Sequence, residues 1–212
     1  MGVLLHAHYR QLGPKGQHIV MPAPVDRATP NAPWWWDRLA AQAADLRRVG
    51  FSAVLLPPVC KTASGAAPDA DGYGLFDNYD IGSRDQYFSV PTRFGDRPRL
   101  QRMIAIMHAC GLDVYADVVM HQYYGGDNGR YEYPGADGKT RNGRFPKHPS
   151  CFVGAPPRVP VDPVANPEGN FAFGDMVAYV NSTPKGYMLE GAIDAADWLT
   201  RSLDLQGYRS TT

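Results

Sequence analysis

The 212-residue chain has little cysteine, and what it has is not arranged for crosslinking. Cys60, Cys110 and Cys151 are odd in number and widely spaced, with neither a CxxC pair nor a disulfide framework, so they read as unpaired thiols. It also lacks charge of either sign in excess. Its 21 basic and 21 acidic residues cancel, so no whole-chain field would draw it to nucleic acid or to an anionic membrane, and a neutral substrate is the easier one to accommodate. No apolar run approaches a membrane span, and Met1 leads almost directly into VLLHAHY without a charged leader region. The expected location is therefore cytoplasmic as written, or secreted if the true N-terminus lies upstream. There is no internal repeat. Glycine and proline, by contrast, are plentiful at 22 and 19, and they cluster between Pro57 and Gly82 and between Gly125 and Pro184, which predicts two long loops. With 44% hydrophobic residues, the chain can bury a core.

The stretch GLDVYADVVMHQYYGG, Gly111 to Gly126, organises the rest. Val114 to Met120 is short, rich in β-branched residues and does not alternate polar with apolar, which predicts a strand covered on both faces in a parallel α/β sheet. Asp117 interrupts it, and a carboxylate there is costly to bury unless a cation or several donors meet it. His121, Gln122, Tyr123 and Tyr124 follow at the strand's C-terminal end, where α/β barrels place their chemistry.

Val3 to Tyr9 reads as a first buried strand and Ala53 to Leu56 as a second. Between them Trp35, Leu39, Ala43, Leu46 and Val49 recur at helical spacing, with Pro33 at the start and Gly50 at the stop. Leu100, Met103, Ile104 and Met107 predict a second helix, with Asp96 as its cap. Leu189, Ala192, Ile193, Ala196 and Leu199 predict a third, and LDLQGYR a strand after it. The stretch from Tyr123 to about Thr183 is too long for a simple connection. The order is strand, helix, strand, helix, strand, insertion, helix, strand, which requires a parallel sheet with right-handed crossovers.

FSAVLLPP, DGYGLFDNYDIG, TRFGD, GLDVYADVVMHQ and AADWLTRSLDLQGYR together resemble, in order and spacing, the first half of the α-amylase family, glycoside hydrolase family 13. The resemblance covers nearly the whole chain. It implies a partial (β/α)8 TIM barrel of about four strands with a subdomain inserted after the third: barrel in 1–122, insertion in 123–183, and the third barrel helix with the start of strand four in 184–212. It implies an α-glucan or oligosaccharide as partner; the balanced charge and the lack of an apolar span set nucleic acid and membrane aside, and four strands of an eight-stranded barrel would leave open edges that invite self-association.

By the same resemblance, Tyr73 matches the aromatic that stacks on the sugar beside the scissile bond; a flat ring offers apolar contact to sugar C–H groups and its hydroxyl a hydrogen bond. Asp117 matches the aspartate of DVVxNH, and Arg209 the arginine of GYRxD on the next strand. A guanidinium can meet a carboxylate through two hydrogen bonds, so Arg209 is the partner that Asp117 needs. The family word continues Asn then His, whereas here His121 and Gln122 follow. The family's Asn is a Ca2+ ligand, and an imidazole supplies nitrogen where Ca2+ prefers oxygen. The expectation of Ca2+ is weakened there, although Asp175 could supply an oxygen from the insertion. Gln122 stands at the sugar-binding His and can hydrogen-bond a hydroxyl without titrating, or His121 takes that part.

The family's nucleophilic aspartate follows the arginine of GYR by two residues, and here that position is Thr211. The general acid comes from a later strand than any in these 212 residues. Retaining glycosidases need two carboxyl groups about 5–5.5 Å apart. The chain is therefore expected to be a truncated catalytic domain, inactive alone. A non-catalytic carbohydrate-binding remnant or a non-functional fragment is the alternative. Trp34, Trp35 and Trp36 open a helix, so core packing is preferred to a sugar platform. His6 and His8, at i and i+2, share one strand face and read as barrel lining rather than a metal site. Tyr123 and Tyr124 fit either the cleft or the floor of the insertion.

Overall fold

Two apolar segments, Ala53–Leu56 and Asp113–Val119, form the middle of a four-stranded parallel sheet. The computed structural model describes residues 2–7, 33–63, 65, 72–87, 89–123, 133–134, 140–141, 145–154, 160, 175–179, 181–182 and 184–211. In chain order these form β1 (Leu4–His6), α1 (Trp35–Arg48), β2 (Ala53–Leu56), β3 (Lys61–Thr62), β4 (Leu75–Asp77), α2 (Arg97–Ala109), β5 (Asp113–Val119) and β6 (Gln122–Tyr123). β7 (Tyr133–Pro134), β8 (Thr140–Arg141), β9 (Asp175–Met176), α3 (Tyr187–Leu203) and β10 (Gly207–Thr211) follow. The main sheet runs β1-β2-β5-β10, all parallel, with a helix on the chain between each successive pair. It is an unclosed part of a β/α barrel. The short pairs β3-β4, β6-β9 and β7-β8 are antiparallel.

The helices start where side chains satisfy their first N–H groups. The Asp96 carboxylate accepts from the Arg99 N–H at 3.0 Å, capping α2. The Asp37 carboxylate reaches back to the Trp34 N–H at 3.2 Å at the start of α1. The core between helices and sheet contains Trp36, Leu39, Val54, Leu56, Leu100, Met103, Met107 and Val114, all buried. Each fully buried aliphatic side chain there contributes about 1.5–3 kcal/mol. Gly95, at φ +138°, lets the TRFGD turn lie on this core, since a Cβ there would meet the Trp36 ring at 2.7 Å.

Three expectations are corrected. Trp36, not Trp35, is the fully buried member of the tryptophan triplet, because Trp34 caps the helix instead of joining it. Trp35 is half-buried and its indole N–H donates to the Ala7 carbonyl at 3.2 Å. Strand β1 is an edge strand whose Leu4 is 53% exposed, not a buried one. In α3 the buried face is Met188, Ala192, Ala195, Leu199 and Leu203, while Leu189 and Ile193 are exposed. The two alanines on the buried face carry a weaker apolar signal than the exposed Leu189 and Ile193, which misled the helical-period reading.

A second apolar cluster joins Leu75, Val119, Tyr123, Phe145, Cys151, Phe152, Val177 and Met188, seating residues 145–154 against the barrel end. Gly191 of α3 leaves room for the tip of the Phe145 ring, since a Cβ there would collide with Cζ. Between β2 and α2, Lys61 is fully buried, and its ammonium donates to the carbonyls of Ser89, Val90 and Pro91 at 2.8, 2.8 and 2.9 Å, with Asp80 at 3.7 Å. Asp80 in turn accepts from the N–H groups of Gly82, Ser83 and Arg84. Asp77 accepts from the Tyr79 N–H and the Gln86 amide, so that loop is organised by buried polar groups. Among the described residues, no helix is long and apolar enough to cross a membrane.

Candidate functional site: an aspartate, arginine and tyrosine cluster at the strand ends

Parallel pairing of β5 with β10 sets Arg209 directly beside Asp117. In such a register paired residues project to the same face. The Arg209 guanidinium donates to Asp117 Oδ2, and that oxygen also accepts from the Tyr73 hydroxyl at 2.8 Å. A weaker contact of 3.4 Å links Arg209 to Tyr73. Tyr73 comes from the loop ahead of β4, so the cluster draws on three separate parts of the chain. The Asp117 side chain is wholly buried, whereas that of Arg209 is 45% exposed. Among the described residues a cation and a hydroxyl meet this buried carboxylate, and the cation keeps a face open to the cleft.

His6 of β1 lies within reach of the same charges. Burial lowers its affinity for a proton and Arg209 lowers it further, with Asp117 acting the other way. Its hydrogen bond to Asp117 raises the proton affinity of Arg209, which stays charged. His8 and Tyr124 lie outside the described residues.

His121 and Gln122 stand just past β5, both half-buried. Gln122 pairs with Met176 and Tyr123 with Asp175 as β6 meets β9, and the His121 carbonyl accepts from the Val177 N–H at 3.0 Å. The Tyr179 hydroxyl donates to the Met120 carbonyl, and burial pushes that phenol up to about 12. Tyr123 is fully buried and its hydroxyl accepts from the Asn78 amide at 2.7 Å, which places it beneath the residue 145–154 segment and not in the open cleft. A cavity of about 500 Å³ opens between α3 and the ends of β5 and β10, with Asp117, Asn78, Met120, Tyr179, Tyr208 and Ile193 in its wall.

The sequence resemblance implies Ca2+ at the corner that follows β5. The described side chain at that corner is the His121 imidazole, a nitrogen ligand, and the Asp175 side chain lies outside the described residues. Among the described residues no three His, Cys, Asp or Glu come together to hold a metal ion. Thr211 pairs with Val119 at the end of β10, its side chain outside the described residues.

Sequence reading missed Lys61, Asp80 and Lys147, all buried polar residues that hold loops in place. A lone lysine in a loop carries no periodicity, and its carbonyl partners are invisible in sequence. The Asp80 brace had one trace, the Gly82 that follows it at φ +92°, whose N–H the carboxylate accepts.

An unclosed part of a β/α barrel is the fold that this chain shares with solved α-amylase structures. No family model matches the chain. It is 39% identical over 98 residues to the glucan 1,4-alpha-maltohexaosidase of Bacillus sp. (strain 707), a match covering 46% of this chain and 18% of that protein. It is 38% identical over 98 residues to the alpha-amylase of Bacillus licheniformis, covering 46% of this chain and 19% of that one. Among solved structures, the α-amylase of Geobacillus thermoleovorans, complexed with acarbose, superposes with a TM-score of 0.56 at 19% identity, over 84% of this chain and 34% of its own. Over a little under half of its length the chain is similar to curated α-amylases, and its matches take in about a fifth of the length of those proteins.

Proposed function

We propose that this chain forms one wall of an α-glucan-binding cleft of the α-amylase kind, and that in these 212 residues the wall binds sugar without cleaving it. The observation that carries the reading is the shared oxygen of Asp117, which holds Tyr73 and Arg209 together at the strand ends. Tyr73 offers a ring to the C–H face of a glucose unit. The exposed part of Arg209 and the amide of Gln122, or the ring of His121, supply donors to its hydroxyls. Asp117, wholly buried, organises these groups and does not attack.

Cleavage needs more than this wall provides. A retaining mechanism takes one carboxylate as nucleophile and a second carboxyl group as acid. Thr211 stands at the nucleophile's position by resemblance, and a threonine hydroxyl attacks only when a base activates it. Purified protein is therefore expected to release no reducing sugar from soluble starch or maltooligosaccharides, and Thr211→Asp is expected not to restore release because, by the resemblance, the acid comes from a later strand. Maltooligosaccharide binding, followed by calorimetry, should be weakened at least tenfold by Tyr73→Ala. Turnover by the unmodified chain that Tyr73→Ala abolishes would overturn the non-catalytic reading. Binding unaffected by Tyr73→Ala would overturn the site.

A further inference from the structure

Among the described residues two lysines are buried, and they are solvated in different ways. The Lys61 ammonium meets three carbonyls and the Asp80 carboxylate, enough for all three of its N–H donors. Lys147, only 4% exposed, donates to one carbonyl, that of Phe145 at 3.0 Å. Two ring faces also enclose it, with Nζ 4.6 Å from the centre of Tyr123 and 4.4 Å from that of Phe145. Ring faces attract a cation, but less strongly than water or a carboxylate does. Among the described residues no carboxylate is within ion-pair distance of Lys147. The ionisable groups around it are Asp77 of β4, Cys60 after β2, Cys151 and Tyr123.

We propose that Lys147 is a proton-operated clamp between residues 145–154 and the barrel end: with its charge it loosens their seating on Tyr123, and once neutral it lets them seat more firmly. Residues 145–154 reach the barrel end chiefly through the apolar cluster around Tyr123 and Phe152, through the Tyr187 hydroxyl bond to the Pro146 carbonyl, and through the bridge of Phe152 to Val177. A charge enclosed in that cluster opposes its closure. The amine without its proton carries no such penalty, and its stem stays packed between the rings.

The direction of the pH effect follows. Burial pulls Lys147 down to about 8, from an ordinary value of about 10.5, with Asp77 and the two thiols acting the other way. Between those two values the unfolded segment still binds the proton that the seated one has lost, so seating strengthens as pH rises from about 8 and levels off above about 10.5. Below about 8 both forms are charged and the seating is at its weakest.

Hydrogen exchange of the 145–154 amides, read by mass spectrometry and corrected for the intrinsic effect of pH, tests this. Protection in the wild-type chain should rise about twentyfold between pH 7.5 and 9.5, the ratio that the two proton affinities require. Lys147→Met, which keeps the stem and removes the charge, should be well protected at both pH values and show no rise. Lys147→Arg, charged throughout, should be poorly protected at both. A wild-type rise no larger than that of Lys147→Met overturns the clamp. Should Lys147→Arg fail to fold, the comparison of wild type with Lys147→Met decides alone.

Discussion

Lys61→Met is expected to lower stability by about 3–5 kcal/mol, read as the shift of the urea midpoint at constant slope. Methionine keeps most of the buried stem, so the loss is electrostatic and not a cavity. It strands the Asp80 carboxylate, which is itself wholly buried, and leaves the carbonyls of Ser89, Val90 and Pro91 without their donor. Burial pushes Lys61 down and Asp80 up in proton affinity, and each partner opposes the shift of the other. Asp80→Asn should recover part of the loss in the Lys61→Met background while being harmful alone, because the amide relieves the unpaired charge. A Lys61→Met variant within about 1 kcal/mol of wild type would show that water reaches the site and that the loop does not depend on the ammonium.

Arg209→Met should cost about 3 kcal/mol, the low end for breaking a buried pair, since the Arg209 side chain is 45% exposed and Tyr73 still donates to the stranded oxygen. In a double-mutant cycle, Asp117→Asn should lose less in the Arg209→Met background than alone. Additive losses would mean that the two side chains do not act as a unit. The Tyr73→Ala variant, measured beside them, should sharpen the Arg209→Met loss, because it removes the second donor to the same oxygen.

The four strands of the main sheet and the three helices were legible because their signals are local, whereas the short pairs β3-β4, β6-β9 and β7-β8 were not. Ala53–Leu56 is read in sequence with the bounds it has in the structure, Asp96 caps α2 as its position ahead of Pro98 suggests, and Asp117 names its own need for a cation within an apolar run. The need could be traced to Arg209 through order in the chain, and the structure places that guanidinium on the carboxylate. The hydroxyl of Tyr73 as a second donor was not legible, since a contact over 44 positions leaves no periodic trace. The exposure of β1 was missed because LLH carries the same apolar letters whether a neighbour covers it on both sides or on one. Lys61 and Lys147 were missed for a related reason. What makes a buried lysine tolerable is backbone carbonyls and ring faces, which any sequence could provide.

The pairing of β10 with β5 also sets the order in which the molecule can assemble. Asp117 and Arg209 are 92 positions apart, against 49 for the Val3 to Ser52 contact that accompanies the closing of β1 on β2. Nearly doubling the loop adds only about 0.6 kcal/mol of closure entropy, so the equilibrium is scarcely affected, but contacts between distant residues are late in folding. The cluster at the strand ends is then among the last features to form. Arg209→Met is accordingly expected to speed unfolding while leaving the refolding rate within about twofold of wild type, as measured by the two arms of a denaturant chevron. Recovery of the sugar site during refolding would track the end of the reaction, after the helices and the inner strands are in place.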